Sequence, residues 1–402
     1  MLAWILGIVL FALGICISVA LHEAGHMGAA KMFGMRVRRY FIGFGPTLWS
    51  FRRGETEYGL KVIPAGGFCD IAGMTALDEV TADEAPRAMW RYATWKRFVV
   101  MVAGSVTHFI IGFLILYLMA ITMGLPNLNF DVNTVKPQVG TVNDCVVDKT
   151  STQTSDKCPV GAAAPAKDAG LREGDLVQSV DGTPTPTWKD MVAKVEKLSG
   201  PADFVVRRGS ETVTLSVDVA QVSTENGKVG AIGVSVALPP AVNHYGVASG
   251  VGGAASFTGE MFVGVWNGLL AFPEKIPKVI EAIGGAPRDQ DTPVSVVGAS
   301  IIGGDAVERG LWEMFLLLLA TLNFFVGVFN LLPLLPLDGG HIAVLFYEKI
   351  RDWLRRLRGK PAGGPVDYTK LSAVTMVFVL IGGAVMLLTV TADIVNPIRI
   401  PQ

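Results

Sequence analysis

The chain has 402 residues, of which 50% are apolar and only 17% charged, and its formal net charge is −1. Soluble globular domains carry about 25% charged residues, so the composition favours a membrane protein. A net charge this close to zero excludes a general electrostatic attraction to nucleic acid, and no nucleic-acid partner is expected.

Four stretches without Asp, Glu, Lys or Arg are long enough to cross a bilayer, which needs roughly 20 apolar residues. They are 1–21, 98–125, 314–337 and 371–391. The first stretch lacks the basic start and the small-residue cleavage site of a signal peptide, so we interpret it as a spanning helix. A weaker candidate, 254–272, contains Glu260, Asn267 and three glycines.

The basic loops indicate the topology. Lysine and arginine are concentrated in 29–97 and in the loop before the last span. The positive-inside rule places both loops in the cytoplasm, which four spans allow and a fifth span would forbid. We therefore predict that 254–272 lies on the outer face or dips into it, and that both termini are outside.

The first span ends in the pattern His-Glu-x-x-His, formed by His22, Glu23 and His26. Residues four apart share a helix face, so the two imidazoles can bind one tetrahedral Zn²⁺ while Glu23 serves as the general base. Three ionisable side chains at the end of an apolar span are costly, which favours a functional site over a juxtamembrane surface helix. The predicted cofactor is one Zn²⁺ per chain.

A β-hairpin is predicted directly after this helix. Residues 39–44 and 48–51 form one arm, 52–54 the turn and 56–63 the other arm, with Gly and Pro at the ends. A plain cytoplasmic hairpin is one interpretation, and a hairpin that contributes to the site is the other.

The segment 126–307 is predicted to be external. Cys145 and Cys158 lie in it, and an oxidising compartment permits a disulfide there, with two free thiols as the alternative. Part of this segment has the pattern of a compact domain, with a strand between two turns in 169–182, an amphipathic helix at 188–198 and a hairpin through Gly209.

A third zinc ligand must come from elsewhere, because two imidazoles leave a catalytic site one protein ligand short. Asp338 is the first acid after the third uncharged run, and Pro333 and Pro336 break the helix beside it. Spans one and three run in the same direction, so both clusters end toward the same face. Asp70 and His108 are the next candidates, and an interfacial stop residue is the alternative interpretation of Asp338.

Together these motifs resemble the site-2 protease family, which pairs His-Glu-x-x-His with Asn-x-x-Pro-x-x-Pro-Leu-Asp-Gly. The second motif stands here at 330–339. The stretches 43–46 and 64–68 and the inserted external domain are similar to the bacterial branch. The stretches 293–298 and 388–393 are most similar to actinobacterial members, which act in regulated intramembrane proteolysis.

The resemblance implies that His22, His26 and Asp338 bind zinc, that Glu23 is the catalytic acid and base, and that Asn330 stabilises the substrate. It also implies a membrane-re-entrant β-loop whose edge pairs with an unwound substrate. The candidate substrate-binding residues are Gly43, Phe44, Gly45, Gly66, Gly67, Asn323 and Asn330. Ser105 and His108 depart from the bacterial pattern, which often has proline and asparagine there. His108 is interpreted as a packing residue or as one that orients substrate.

The predicted fold is a multi-pass α-helical membrane protein of about four spans, with a membrane-associated β-hairpin and an extracytoplasmic α/β PDZ-like domain. The predicted segments are the first helix with its zinc motif (1–28), the hairpin loop (29–97), the second helix (98–125), the PDZ-like domain (126–236), outer-face amphipathic helices and a linker (237–307), the third helix (308–345), a basic cytoplasmic loop (346–370), and the fourth helix and tail (371–402).

The predicted function is zinc-dependent cleavage within the transmembrane segments of single-span proteins, in the bacterial plasma membrane and in contact with its lipid. By resemblance, the substrates are anti-sigma factors that an upstream protease cuts first. The PDZ-like domain either grips a freed C-terminus or excludes bulky ectodomains. An ion transporter would need internal repeats or polar stripes, which the sequence lacks. A membrane scaffold would have no use for Glu23 as a base.

Overall fold

The computed structural model describes residues 1–75, 78–127, 134–146, 158, 162–224, 227–238, 241–289, 291–364 and 366–400. They divide into two units. One comprises Met1–Leu125 with His244–Gln402, and the other comprises Pro126–Asn243. The first unit holds the long helices and the hairpin, and the second is an α/β insertion.

Among the described residues, four helices of the first unit are long and apolar enough to cross a membrane. They are α1 (Leu2–Met32), α2 (Thr94–Thr122), α7 (Trp312–Asn330) and α9 (Tyr368–Val395), the last through its segment Leu371–Val395. The predicted multi-pass architecture is confirmed at this level. Small residues bring α1 and α2 together, since a Cβ on Gly25 would lie 2.7 Å from the carbonyl oxygen of Ala103.

Helix α5 (Val247–Ile283) contains the segment 254–272 and is not among the four described helices that are apolar enough to cross a membrane. Its place on the outer face stays a prediction, and the structure shows that it packs along α2. Gly250 contacts Ile121 near the end of α2, and the rings of Phe262 and Phe109 lie 4.9 Å apart a dozen residues earlier in α2. Glycine at position 250 permits this approach, because a Cβ there would lie 2.6 Å from the Ile121 side chain. The segment's low hydropathy hid this packing from sequence analysis.

Helix α6 (Val296–Glu308) packs against α1 through paired glycines, with a Cβ on Gly7 falling 2.8 Å from the Cα of Gly304. A buried ion pair fastens the end of α9 to the connection between α5 and α6. The guanidinium of Arg288 lies 2.7 Å from the carboxylate of Asp393, and their side chains are 3% and 0% exposed. The same carboxylate accepts the backbone N–H of Ser295 at 2.6 Å.

The third predicted segment, 308–345, is not one helix. Helix α7 ends at Asn330, and an irregular stretch carrying Pro333 and Pro336 follows. Helix α8 then begins at Asp338 and runs to Leu357. The first 12 residues of the predicted basic loop 346–370, up to Leu357, are therefore helical. The apolar residues of this segment recur at helical spacing, but its many charged residues made a loop the simpler interpretation.

The predicted hairpin is present and longer than expected, with β1 at Val37–Arg53 and β2 at Thr56–Ile71. Its turn is at Gly54, whose φ of 63° suits glycine. Val37 pairs with Ile71, Arg53 with Thr56, and Arg39–Ile42 also align with Glu57–Leu60. Each long strand thus contributes two segments to one sheet.

The hairpin is attached to α1 at two levels. The hydroxyl of Tyr40 donates to the carbonyl of Ala20 at 2.7 Å, and the thiol of Cys16 lies 3.5 Å from the carbonyl of Pro64. Cys16 is near the middle of α1, so the hairpin reaches the level of the middle of that helix. Its outer side chains are large, apolar and exposed, among them Leu48, Trp49, Val62 and Ile63.

The second unit is built on a five-stranded sheet of order β6-β5-β7-β8-β9. Its strands are β5 (Leu176–Val180), β6 (Thr183–Pro184), β7 (Gly200–Arg208), β8 (Glu211–Thr224) and β9 (Gly227–Ala231). Helix α3 (Pro165–Asp168) and helix α4 (Trp188–Val195) complete it, α4 starting in a capping box of Thr187 and Asp190. Two further pairs of short strands are β4 (Val139–Val142) with β10 (Val234–Val236), and β3 (Leu125–Pro126) with β11 (Val242–Asn243).

Candidate metal centre

The structure brings His22, His26 and Asp338 together. The two histidines lie one turn apart on α1, and their Nε2 atoms are 3.1 Å apart. Oδ2 of Asp338, the first residue of α8, lies 3.4 Å from Nε2 of His22 and 3.3 Å from Nε2 of His26. Among the described residues, these three form the one cluster with metal-ligand spacing.

The three atoms fit a tetrahedral zinc ion. Arms of about 2.0–2.1 Å at tetrahedral angles require ligand atoms about 3.3 Å apart, which is the separation found. Oδ2 of Asp338 is buried and has no hydrogen-bond partner among the described residues. A buried carboxylate oxygen without a donor is costly, and a bound cation would satisfy it. The donor set therefore suits Zn²⁺, with a fourth position left for water or substrate.

Helix α2 orients the two imidazoles. Nδ1 of His26 donates to the carbonyl of Val100 at 2.7 Å, which leaves Nε2 of His26 free of its proton to bind metal. Gly104 lies directly against both rings, and a Cβ there would fall 2.3 Å from Nε2 of His26 and 2.5 Å from Cε1 of His22. Glycine at this position therefore makes room for the ligands. The His-Glu-x-x-His pattern gives no signal for either contribution from α2.

Glu23 borders a cavity of about 160 Å³ that also reaches all three candidate ligands. The opposite wall comes from β2, through Gly67, Phe68 and Cys69. A Cβ on Gly67 would lie 3.0 Å from Cγ of Glu23, so the strand passes close to the carboxylate. The carboxylate of Glu23 is thus placed between the candidate metal ligands and the hairpin.

Burial changes the pKa of two hairpin side chains close to Glu23, Cys69 and Tyr40. Burial raises the pKa of the Cys69 thiol. Burial also raises the pKa of Tyr40 to about 12, which keeps its hydroxyl as the donor to Ala20.

The alternative ligands are engaged elsewhere. Asp70 pairs with Arg39, with 2.8 Å between Nη2 and Oδ2. The His108 ring lies 5.0 Å from the His22 ring, but its Nδ1 is 2.9 Å from Oδ1 of Asn323. Asn323 in turn donates to the carbonyl of Leu319 at 2.8 Å. Geometry therefore favours Asp338 as the third ligand and gives His108 a fixed orientation beside the site.

The candidate substrate-binding residues fall into different places. Gly67 lines the cavity and Gly66 precedes it on β2, whereas Gly43, Phe44 and Gly45 lie on β1 with Phe44 exposed. Asn323 is 1% exposed and holds His108. Asn330 is the last residue of α7 and is half-buried, and it is not among the described residues that line the cavity. The roles of these residues in substrate binding stay predictions.

Beyond the cavity, a cluster of ion pairs fastens the segment after β2 to the hairpin. The guanidinium of Arg38 donates to both carboxylate oxygens of Glu84 at 2.8 Å and to Asp78 at 2.8 Å. These hydrogen bonds from Arg38 hold the pKa of Glu84 at about 2. The carboxylate of Glu55 forms ion pairs with the guanidinium groups of Arg36 and Arg87.

In the second unit, the Sγ atoms of Cys145 and Cys158 lie 2.03 Å apart, within disulfide-bonding distance. The two residues are separated by 13 positions in the sequence. None of the candidate zinc ligands belongs to this unit.

Comparison with known proteins agrees with this geometry. The model of peptidase family M50 matches residues 10–382. The chain is 48% identical to "Zinc metalloprotease Rip1" of Mycobacterium tuberculosis over 99% of this chain and 100% of that protein. It is 27% identical to "Metalloprotease MmpA" of Caulobacter vibrioides, over 88% of this chain and 89% of that protein. It is also 26% identical to "Membrane metalloprotease ARASP, chloroplastic" of Arabidopsis thaliana, over 90% of this chain and 74% of that protein.

The family match covers the helix that carries His22, Glu23 and His26 as well as the segment that carries Asp338. The proteins named "Zinc metalloprotease Rip1" in Mycobacterium bovis and Mycolicibacterium smegmatis each match 99% of this chain. Family membership, zinc dependence and a metal-binding geometry buried between apolar helices therefore agree: the chain belongs to peptidase family M50, the site-2 proteases, and is a membrane-embedded zinc metalloendopeptidase.

Proposed function

We propose that this enzyme cuts peptide bonds within the transmembrane segments of single-span proteins, with one zinc ion per chain held by His22, His26 and Asp338. The observation that carries the proposal is the position of this triad. Two of its members lie inside the apolar helix α1, and the cavity beside them is walled by β2. A peptide bond must therefore reach the triad at the level of the membrane helices.

The chemistry then follows from Glu23. When bound, zinc would polarise the scissile carbonyl and acidify the attacking water. Glu23 accepts the proton as water attacks the carbonyl carbon, and it delivers that proton to the leaving amide nitrogen as the C–N bond breaks. The closeness of Gly67 to Glu23 leaves a narrow passage, which suits an extended backbone better than a helix.

The segment Gly66–Phe68 of β2 supplies a surface for such a backbone. On one side it pairs with β1, where Gly67 faces Ile42 and Phe68 faces Phe41. On the other side Gly67 and Phe68 border the cavity. An unwound substrate strand can add to this edge through main-chain hydrogen bonds, which recognise any sequence. Such pairing would expose to Glu23 a peptide bond that a helical substrate hides.

We place the enzyme in the bacterial plasma membrane, with the metal centre toward the cytoplasm. The support is the concentration of Lys and Arg in 29–97 and 346–370, which the positive-inside rule assigns to the cytoplasmic side. Single-span anti-sigma factors, cut first by an upstream protease, are the proposed substrates. Their support is the similarity of 293–298 and 388–393 to actinobacterial members of the family.

The test is reconstitution of the full chain in vesicles with candidate single-span substrates. Glu23→Gln should abolish cleavage while zinc content stays at one per chain, because Glu23 is placed as a base and not as a ligand. Glu260→Gln, which removes an exposed carboxylate on α5, is the matched control and should cut normally. Cleavage by Glu23→Gln near the wild-type rate would overturn the assignment.

The inserted unit is proposed to be a PDZ-like domain that excludes substrates with large ectodomains. Its five-stranded sheet with helix α4 supports a PDZ-like identity. Deletion of residues 126–236 should let the enzyme cut substrates with intact ectodomains and leave short substrates cleavable. If the deleted chain binds zinc but no longer cuts short substrates, the unit is a receptor for the new C-terminus and the filter is ruled out.

A further inference from the structure

Helix α8 carries an exposed apolar stripe that the proposed mechanism does not use. Its first half packs inward, where Leu345 is 2% exposed and joins a core with Val100 and Met101. Further along, six large apolar side chains face away from the protein and are 42–67% exposed. They are Phe346, Tyr347, Ile350, Trp353, Leu354 and Leu357. At the angular spacing of an α-helix these six fall within about 120° of its circumference.

Positive charge borders this stripe. Between Phe346 and Lys360 the chain has six cations and two carboxylates. The helical spacing puts Lys349 and Arg356 along one side of the stripe and Arg351 along the other. Lys349 and Arg356 are exposed, and no carboxylate of the described residues lies within 4.0 Å of either.

The two carboxylates are turned toward the protein. Oε1 of Glu348 accepts the backbone N–H of Val366 at 2.8 Å, and Oδ1 of Asp352 accepts that of Gly363 at 2.9 Å. Both acceptors therefore serve the connection between α8 and α9. The outward face of α8 is left with apolar side chains and cations.

We propose that α8 lies in the plane of the lipid headgroups and binds anionic phospholipids. A bilayer surface offers both an apolar layer for the stripe and negative charge for its borders. A helix that crosses the bilayer has no charged border, as the uncharged segment 371–391 of α9 illustrates. Helix α8 also begins eight positions after the end of the membrane helix α7, which keeps it within reach of the bilayer surface.

Lipid binding by α8 also affects the metal centre, an inference that rests on the proposed role of Asp338 as a zinc ligand. The first turn of α8 is tightly packed, since a Cβ on Gly339 would lie 2.2 Å from the carbonyl oxygen of Leu331. A Cβ on Gly340 would lie 2.6 Å from the backbone of Leu334. Asp338 is thus rigidly joined to a helix about 30 Å long, and lipid that fixes the tilt of this helix also fixes the carboxylate.

The first experiment measures lipid selectivity of the full chain, with spin-labelled phosphatidylglycerol and phosphatidylcholine in mixed vesicles. The double variant Lys349→Gln with Arg356→Gln should reduce the preference for phosphatidylglycerol by up to about 30-fold, because each cation near an anionic surface contributes about 1 kcal/mol. Lys197→Gln with Lys228→Gln makes the same charge change on the second unit and should keep the preference. Wild-type selectivity in the α8 variant would overturn the proposal.

The second experiment locates the stripe. The fluorescence that disappears in Trp353→Phe should be quenched by lipids brominated close to the headgroup. If Trp353 is shielded from those lipids, a protein or a second copy covers the stripe and the proposal fails. Neither measurement involves catalysis, so an enzyme that proves not to cut membrane segments would leave this result intact.

The third experiment tests whether lipid binding by α8 affects zinc binding through Asp338. Zinc should leave the wild-type protein more slowly, under a chelator, in vesicles with phosphatidylglycerol than in pure phosphatidylcholine. The Lys349→Gln and Arg356→Gln double variant should lose zinc at the same rate in both. Equal rates for the wild type would overturn the coupling, even where lipid selectivity is found.

Discussion

Replacing Gly104 with alanine tests the metal centre without touching a ligand. The new Cβ would lie 2.3 Å from Nε2 of His26 and 2.7 Å from Nε2 of His22. Ordinary contact begins at 3.4 Å, so the shorter distance falls short by about 1.1 Å. Metal–ligand distances are tolerated only within about 0.2 Å, so the rings cannot move this far and still share one ion.

The expected result for Gly104→Ala is a loss of zinc affinity of at least about 100-fold. Changes to groups that merely orient ligands cost about 10–100-fold, and here the ligands themselves are displaced. Zinc content of the purified chain and competition with a chelator of known affinity measure the loss. Cleavage should fall in parallel.

Two matched glycine variants separate this effect from general disturbance of the helices. Gly28→Ala lies on α1 two positions after His26 and meets nothing within 4 Å, so zinc binding should be unchanged. Gly112→Ala lies on α2, where its Cβ would be 2.8 Å from the Phe324 ring, and should lower stability while zinc is retained. If Gly104→Ala binds zinc as tightly as the wild type, the placement of the two imidazoles against α2 is wrong.

Three further predictions follow from the same structure. Asp338→Asn should lose both metal and activity while Asp70→Asn keeps both, and normal zinc content in Asp338→Asn would reject that ligand. Cys145 and Cys158 should appear as one linked peptide in non-reducing mass spectrometry, and reduction should lower the free energy of unfolding of the second unit by up to about 3 kcal/mol. Because the pKa of Glu84 is lowered to about 2, its contribution to stability is full above its ordinary pKa near 4.5 and is lost as the pH falls toward 2. The unfolding temperature in detergent should therefore fall between about pH 5 and about pH 3 in the wild type, and it should fall much less in Glu84→Gln.

The motifs predicted the enzyme class and the grouping of His22, His26 and Asp338 in space. His22 and His26 are brought together by one helical turn, and Asp338 follows a helix whose direction was set by counting spans. The hairpin was also predictable, since Gly54 and the alternating arms are sequence features. In each case the sequence pattern either lies within a few residues or depends only on the number and direction of the spans.

The contributions that the sequence did not reveal come from distant backbone and from packing. The backbone carbonyl of Val100 orients His26. Every residue has such a carbonyl, so the sequence does not distinguish Val100 from its neighbours. Gly104 is one of many glycines in the chain, and only its place against the two rings distinguishes it. The many charged residues of 346–357 predict a basic loop, although the apolar residues of the same segment recur at helical spacing and form part of α8.

The buried pair between Arg288 and Asp393 sets an order for assembly. The two residues are separated by 105 positions, so at synthesis rates of about 5–20 residues per second Asp393 is made roughly 5–20 seconds after Arg288. The backbone carbonyl of Asn396, close to the end of the chain, also accepts from Arg288. This ion pair therefore closes only after Asp393 has been synthesised, and a chain cut short before Asp393 leaves the buried guanidinium of Arg288 without its carboxylate partner.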